Sequence, residues 1–236
     1  MFLVMALVGT PLHFEPAIRP GQTLSVHDIS GAVRVRVGTR LAIDARRTAD
    51  RSDPSAVIVR VETNADGVAV CVRYPPDAAR GCNEHTRGAN DNDTQVDFDI
   101  TVPAGVAVAA ADVNGSVDVV AAGSTRGTSV NGDVRIDAPD VTEATTVNGA
   151  VRIYLRGRGT SSLRASSVNG RIVVSLPPGG GAIVDAKTLN GEVNGAGLNV
   201  QHATFGIGTS ASGTIGNGER HLDLSSINGS ITVERS

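Results

Sequence analysis

Residues 129–136 read Ser129-Val130-Asn131-Gly132-Asp133-Val134-Arg135-Ile136, and this phrase recurs through the second half of the chain. The common frame is Ser/Thr, apolar, Asn-Gly, any residue, apolar, any residue, apolar. Successive asparagines are 17, 17, 21, 21 and 38 residues apart, a regularity that is typical of repeat proteins. The six central pairs are Asn114-Gly115, Asn131-Gly132, Asn148-Gly149, Asn169-Gly170, Asn190-Gly191 and Asn228-Gly229.

The residues after each glycine alternate with period two, which predicts a half-buried strand. Gly195 interrupts the second inward position of its copy. The predicted inward pairs are Val117 and Val119, Val134 and Ile136, Val151 and Ile153, Ile172 and Val174, and Ile231 and Val233.

Asn-Gly readily takes positive φ and ordinarily indicates a two-residue hairpin. A step of 17–21 residues, however, fits one full turn of a solenoid with two or three short strands. Stacking such coils about 4.8 Å apart would place all six Asn-Gly corners in one column, with their amides hydrogen-bonded along the stack. The alternative is a series of hairpins in a sandwich, where the step need not be so regular.

Composition agrees with a narrow interior. The 236 residues include 32 valines and 28 glycines, but only six aromatic side chains and no tryptophan. β-branched residues fill a thin tube that large rings cannot enter. We therefore predict an all-β, single-stranded parallel β-helix, right-handed as such solenoids usually are, with 17–21-residue coils.

The rest of the chain fits around this solenoid as one continuous domain. Residues 1–19 resemble a degenerate signal segment, 20–110 form an N-terminal cap of antiparallel or irregular strands, and 111–236 carry the repeat. Cap strands are expected at 32–37, 56–62, 67–73 and 95–102. The long step before Asn228 suggests a hidden degenerate coil, with Leu222 and Leu224 in its strand.

Two features of the sequence bear on the cellular compartment of the protein. Residues 2–8 form an apolar run of signal-peptide length, for which a buried first strand is the alternative. Cys71 and Cys82 are the only cysteines, and in an oxidising compartment a disulfide between them is expected. Free thiols, or a metal site completed by His85, are the alternatives.

The repeated Val-Asn-Gly-x-Val-x-Val phrase, Val102-Pro103-Ala104-Gly105-Val106 and Gly213-Thr214-Ile215-Gly216-Asn217-Gly218 resemble the bacterial DUF4097 family of predicted adhesins. The resemblance covers about residues 20–235. It implies a β-helical fold, an extracytoplasmic location (periplasm, cell surface or secreted) and a non-catalytic role. It carries over no functional residues.

Most catalytic classes lack their motifs here. The five histidines share no spacing, and nucleotide-binding and hydrolase motifs are missing. Residues 90–93 with Asp97 and Asp99 fit a solvated loop and strand better than a calcium loop. A stack of Asp118, Arg135 and Arg152 could suggest a polysaccharide-acting enzyme, but an exposed ion-pair ladder is the simpler interpretation.

The sequence thus predicts an exported adhesin or cell-envelope interaction module that binds an unknown surface glycan or envelope protein. We expect no catalytic residues, cofactor or metal. The net charge of -3 argues against nucleic acid, and we expect no integral membrane span and at most weak self-association. A filament-forming scaffold is the alternative, and the charged C-terminal edge, Glu234-Arg235-Ser236, argues against it.

Overall fold

A computed structural model describes residues 7–84, 91–202 and 208–235. Two short 3-10 turns, Pro54–Ala56 and Asp77–Ala79, accompany the strands. The strands are β1 (Leu7–Val8), β2 (Leu12–Phe14), β3 (Thr23–His27), β4 (Ser30–Gly38), β5 (Ala42–Ala49), β6 (Ile58–Asn64), β7 (Gly67–Arg73), β8 (Gln95–Pro103), β9 (Ala107–Ala111), β10 (Asn114–Val120), β11 (Ser124–Thr128), β12 (Val134–Ala138), β13 (Asp140–Asn148), β14 (Val151–Leu155), β15 (Leu163–Asn169), β16 (Ile172–Leu176), β17 (Ala182–Asn190), β18 (Val193–Gly195), β19 (Asn199–His202), β20 (Thr209–Ile215), β21 (Arg220–Asn228) and β22 (Ile231–Arg235).

The strands form two mostly parallel sheets of eleven strands each. Sheet A contains β1, β2, β4, β5, β8, β10, β12, β14, β16, β18 and β22, and sheet B contains the others. Each coil of the repeat places one strand in sheet B and the next in sheet A. Their inward side chains join one apolar cluster of mainly Val, Ile, Leu and Ala. The predicted all-β solenoid is confirmed.

The inward column of sheet A shows why the repeat folds this way. Val117 pairs with Val134, Val134 with Val151, Val151 with Ile172, and Ile172 with Ile231. All five are fully buried. Like residues stack on like residues because each coil carries the same alternation in the same register.

The order of the coils departs from the order of the sequence at the C-terminal end. The C-terminal coil, β21 and β22, lies between the coil of β15 and β16 and the coil of β17 and β18. The expected hidden coil is wrong. The intervening residues form the antiparallel strands β19 and β20, and Leu222 and Leu224 belong to the C-terminal coil itself.

A similar insertion occurs near the N-terminus. The coil of β3 and β4 lies between the strands β7 and β8 on one side and β9 and β10 on the other. Near both ends of the solenoid, therefore, the order of the coils in the stack differs from their order in the sequence.

Antiparallel strands lie at the ends of the stack. At the N-terminal end, β5 pairs with β8 in sheet A and β6 pairs with β7 in sheet B, which confirms the expected cap. At the other end, sheet B finishes with β20 and β19, and sheet A with the three-residue β18. Strand β22 is internal, so the prediction that Glu234 and Arg235 form the charged final edge is wrong.

The first described residues also join the sheet. Strands β1 and β2 pair antiparallel with β5. Leu7 and Val8 are exposed, whereas Phe14 packs against the core. None of the helical segments in the described ranges is long and apolar enough to cross a bilayer.

Candidate functional site

The six repeat asparagines lie in one column at a corner of the solenoid. Five hydrogen bonds join them, and in each the side-chain amide of one asparagine donates to the side-chain oxygen of the asparagine in the adjoining coil at 2.8 Å. The column runs Asn114, Asn131, Asn148, Asn169, Asn228, Asn190, and thus follows the spatial order of the coils.

The glycines that follow these asparagines form a second column, but not for the reason expected from the sequence. None of the six is among the residues with positive φ in the described chain. A Cβ on Gly149 would instead lie 2.2 Å from the carbonyl oxygen of Gly132, and one on Gly132 would lie 2.0 Å from that of Gly115. Glycine is required because neighbouring backbones approach too closely for any side chain.

A third column contains the residue two places before each asparagine. Its buried hydroxyl donates to the carbonyl oxygen of a repeat glycine in the adjoining coil, as Ser129 does to Gly115 and Thr146 to Gly132, both at 2.8 Å. Ser167, Thr188 and Ser226 make the same kind of bond. The glycine carbonyl oxygens at the corner are therefore hydrogen-bonded by small neutral donors.

Two consecutive coils break this third column. Asp112 stands two places before Asn114, and Asp28 stands two places before Ser30, which pairs with Asn114. Both aspartates are 4% exposed. Burial, followed by the charge of Asp112, raises the pKa of Asp28 well above its usual range, and burial raises the pKa of Asp112 to about 6.

These two aspartates are residues that the sequence interpretation missed. Asp112-Val113-Asn114-Gly115 matches the repeat frame apart from its acidic first residue. Asp28-Ile29-Ser30-Gly31 departs from it at two positions, with Asp in place of Ser/Thr and Ser in place of Asn. The mismatch at the Ser/Thr position was the available signal, but only the structure shows that this position points inward.

Cys71 and Cys82 are joined in a disulfide, with their Cα atoms 5.5 Å apart. The bond ties the end of β7 to the segment that follows the Asp77–Ala79 turn. His85, considered as a metal ligand beside Cys82, lies outside the described residues.

The outer face of sheet B carries shallow cavities near the disulfide. A cavity of about 300 Å³ is lined by residues that include Ser25, His27, Asn83 and Arg126, and a neighbouring one of about 150 Å³ shares His27 and Arg126. Small residues form the floor, since Ser25 pairs with both Ala69 and Ala109. We call this surface the sheet B groove; its lining residues are Thr23, Ser25, His27, Asn64, Asp66, Gly67, Val68, Ala69, Asn83, Ala109, Ala110, Ala111, Arg126, Thr128 and Glu143.

Sheet A carries the charged stack seen in the sequence. Asp118, Arg135 and Arg152 are in register on consecutive strands. Arg36 pairs with Asp118 at 2.7 Å, and Arg152 pairs with Asp133 at 2.8 Å. These are partly exposed ion pairs along one face, an arrangement that contributes little to stability.

In the loop considered as a calcium site, backbone N–H groups bind the carboxylate of Asp93. Asp93 accepts hydrogen bonds from the backbone N–H groups of Ser52 and Arg51, and the Ser52 bonds lower the pKa of Asp93 to about 2. Asp97 and Asp99 lie in β8, and Asn90 lies outside the described residues. Within the described ranges, no three His, Cys, Asp or Glu side chains are grouped to hold a metal.

A known structure shares this fold. A crystal structure from Clostridium sporogenes, described as a "putative cell adhesion protein", aligns with 96% of this chain and 100% of its own, at a TM-score of 0.51 and 13% identity. A "putative adhesin" from Bacteroides fragilis aligns with 96% of this chain and 97% of its own, at a TM-score of 0.41 and 11% identity. No family model matches the sequence, and neither does any curated protein. The similarity to the Clostridium sporogenes structure is evidence for the fold only.

Proposed function

We propose that the protein is an extracytoplasmic, non-catalytic adhesion module that binds a glycan or protein of a cell envelope through the sheet B groove. The observation that carries the proposal is an open, polar surface built on parallel strands. Small side chains at its floor let a partner approach the backbone, and polar groups at its rim can orient that partner.

Arg126 is the principal binding group of this proposal. It is exposed in β11, pairs in register with Ala109 on one side and Glu143 on the other, and lines both groove cavities. Arg126 makes no ion pair with another described residue, so its guanidinium is available for a carboxylate or sulfate. An acidic envelope glycan or an acidic protein segment fits this chemistry best.

The disulfide supports the proposed extracytoplasmic location. Disulfides form and persist in oxidising surroundings and are rare in the cytosol. Cys82 is followed by Asn83, which lines the groove, so the Cys71–Cys82 bond lies beside the proposed binding surface. A disulfide formed in an oxidising compartment would therefore also hold this part of the surface in place.

The closing experiment compares two arginine variants of one face. Arg126→Ala should weaken binding to envelope fractions and acidic glycan arrays about tenfold or more, as expected when a charge-assisted contact is lost. Arg164→Ala is the matched control, because Arg164 lies in the same sheet, 73% exposed and paired with Asp223 outside the groove. Equal binding by wild type and both variants, or no binding by wild type, would refute the proposal.

A further inference from the structure

Asp28 and Asp112 occupy a structural position that the other coils give to neutral hydroxyl groups. Ser129, Thr146 and Ser167 show the rule, each donating to a glycine carbonyl of the adjoining coil. An ionised carboxylate cannot donate such a bond. The repeat would be satisfied by serine here, so the acidic residues need another explanation.

The two carboxyl groups are buried without adequate partners. Asp28 Oδ1 accepts hydrogen bonds from the backbone N–H groups of Ile29 and Ser30, and the backbone N–H groups of Asn114 and Val113 lie close enough to Asp112 to act against the rise of its pKa. Asp28 Oδ2 and both carboxyl oxygens of Asp112 nevertheless have no partner of good hydrogen-bond geometry among the described atoms. The aspartates also adjoin each other, since the Asp28 backbone N–H donates to the Ala111 carbonyl at 2.8 Å and coils stack about 4.8 Å apart. Buried charges in proteins are paired or bind cations, and an unpaired carboxylate pair is strongly unfavourable.

A cavity of about 300 Å³ borders both aspartates. Its other titratable lining groups are His27, Arg73 and Glu84, and Asp97 lies close enough to act on both aspartates. One guanidinium nitrogen of Arg73, Nη2, donates to the carbonyl oxygens of Gly81 and Glu84 in the loop after β7, whereas its buried Nε has no hydrogen-bond partner among the described atoms.

We propose that Asp28 and Asp112 bind a hard divalent cation of the calcium class. Their ligands are all oxygen, which calcium prefers, and calcium tolerates an irregular sphere completed by water. Water is needed because Glu84 and His27 line the same cavity but do not form, with the two aspartates, a group of three or more described side chains that could hold a metal. The free oxygens are shielded from solvent, so binding requires the carboxyl groups to rotate toward the cavity.

The site should be weak but specific. Two carboxylates with water ligands correspond to a Kd of about 0.1–1 mM, the range of extracellular calcium modules. A cation bound between β3 and β9 would fasten the inserted N-terminal coil to the repeat. It would also compete with protons for the two carboxyl groups, so binding should weaken as the pH falls from 7 to 5.

The test measures thermal unfolding and calorimetric binding of the full chain with CaCl2 or MgCl2. At a hundredfold excess over Kd, calcium should raise the Tm of wild type by about 5–10 °C. Asp28→Ser/Asp112→Ser should lose this rise, yet still fold, because serine is the residue used at this position in other coils. Asp99→Ser, at an exposed position on sheet A, should retain it.

Two results would overturn the proposal: no calcium shift in wild type, whether or not magnesium gives one, or an equal calcium shift in the double variant. The melting temperature of the metal-free double variant shows independently that it folds, so a lost response cannot be confused with a lost structure.

Discussion

At the scale of single residues, the corner of the solenoid is set by how closely neighbouring backbones approach. The repeat asparagine supplies an amide to the next coil, and the glycine after it removes the side chain that would collide with the next backbone. The Asn-Gly pair, which in a hairpin would indicate positive φ, here serves the stacking of coils.

Gly149→Ala tests this explanation. The added Cβ would lie 2.2 Å from the Gly132 carbonyl oxygen, and the next two nearest atoms are also backbone, which leaves little room for relaxation. We expect the free energy of unfolding to fall by about 2–4 kcal/mol in chemical denaturation. Gly81→Ala is the control, because the nearest atom there is the flexible Glu62 side chain at 3.3 Å. Equal small losses would contradict the close-approach explanation.

Asp112 should make stability depend on pH. Its folded-state pKa of about 6 lies above the unfolded value of 3.8, so between these values the folded chain binds more protons. The stabilising contribution is complete below about pH 4 and is lost as the pH rises through 6. Asp28, whose pKa is also raised, acts in the same direction.

Asp112→Ser should therefore gain about 1–3 kcal/mol of unfolding free energy over wild type at pH 8, but little at pH 4, measured by urea denaturation with a chelator present. The serine also restores the hydroxyl donor used by Ser129. A variant that is no more stable than wild type at pH 8 would show that Asp112 is not held at a stability cost.

At the scale of elements, the sequence predicts each strand but not the order of the coils. The alternation of Val134 and Ile136 predicts β12 because side-chain periodicity is a local property. Coil order is not local: Asn190 and Asn228 carry the same phrase, and either could stack on Asn169. The structure selects Asn228, leaving Asn190 for the end of the column.

The candidate sites were predictable only in part. The two cysteines pair as expected from their spacing and an oxidising compartment. The sheet B groove was not predictable, because His27 and Arg126 are 99 residues apart and meet through the insertion of β3 beside β9. The same insertion brings Asp28 beside Asp112.

Deleting residues 218–236 should test the inserted C-terminal coil. In a simple solenoid the last coil contributes one interface, whereas β21 and β22 pair with strands on both sides. We expect the truncated chain to lose its cooperative thermal transition by circular dichroism. Deleting residues 1–10, which removes the exposed strand β1, should lower the Tm by only a few degrees. A cooperative transition near the wild-type Tm in the C-terminal truncation would contradict the inserted order.

At the scale of the whole molecule, both ends of the stack oppose its continuation into another copy. End-to-end growth requires a parallel strand to add to each sheet at matching register. The ends instead present antiparallel strands: β1 and β2 on the edge of β5 together with β6 at one end, and β20 with β19 at the other, where sheet A ends in the short β18. A filament would have to displace these strands before its parallel coils could meet.

We therefore expect discrete particles rather than filaments. At 100 µM, light scattering should give a mass near 24.1 kDa, or a weak equilibrium with a small oligomer, and negative-stain microscopy should show no fibres.

Disulfide reduction tests whether the N-terminal cap alone prevents growth. The Cys71–Cys82 bond stabilises β7, with which the cap strand β6 pairs, by about 2–3 kcal/mol. Fibres only after reduction would mean that the N-terminal cap is the barrier, whereas fibres of the oxidised protein would show that antiparallel ends do not prevent assembly and would favour a scaffold over a binding module.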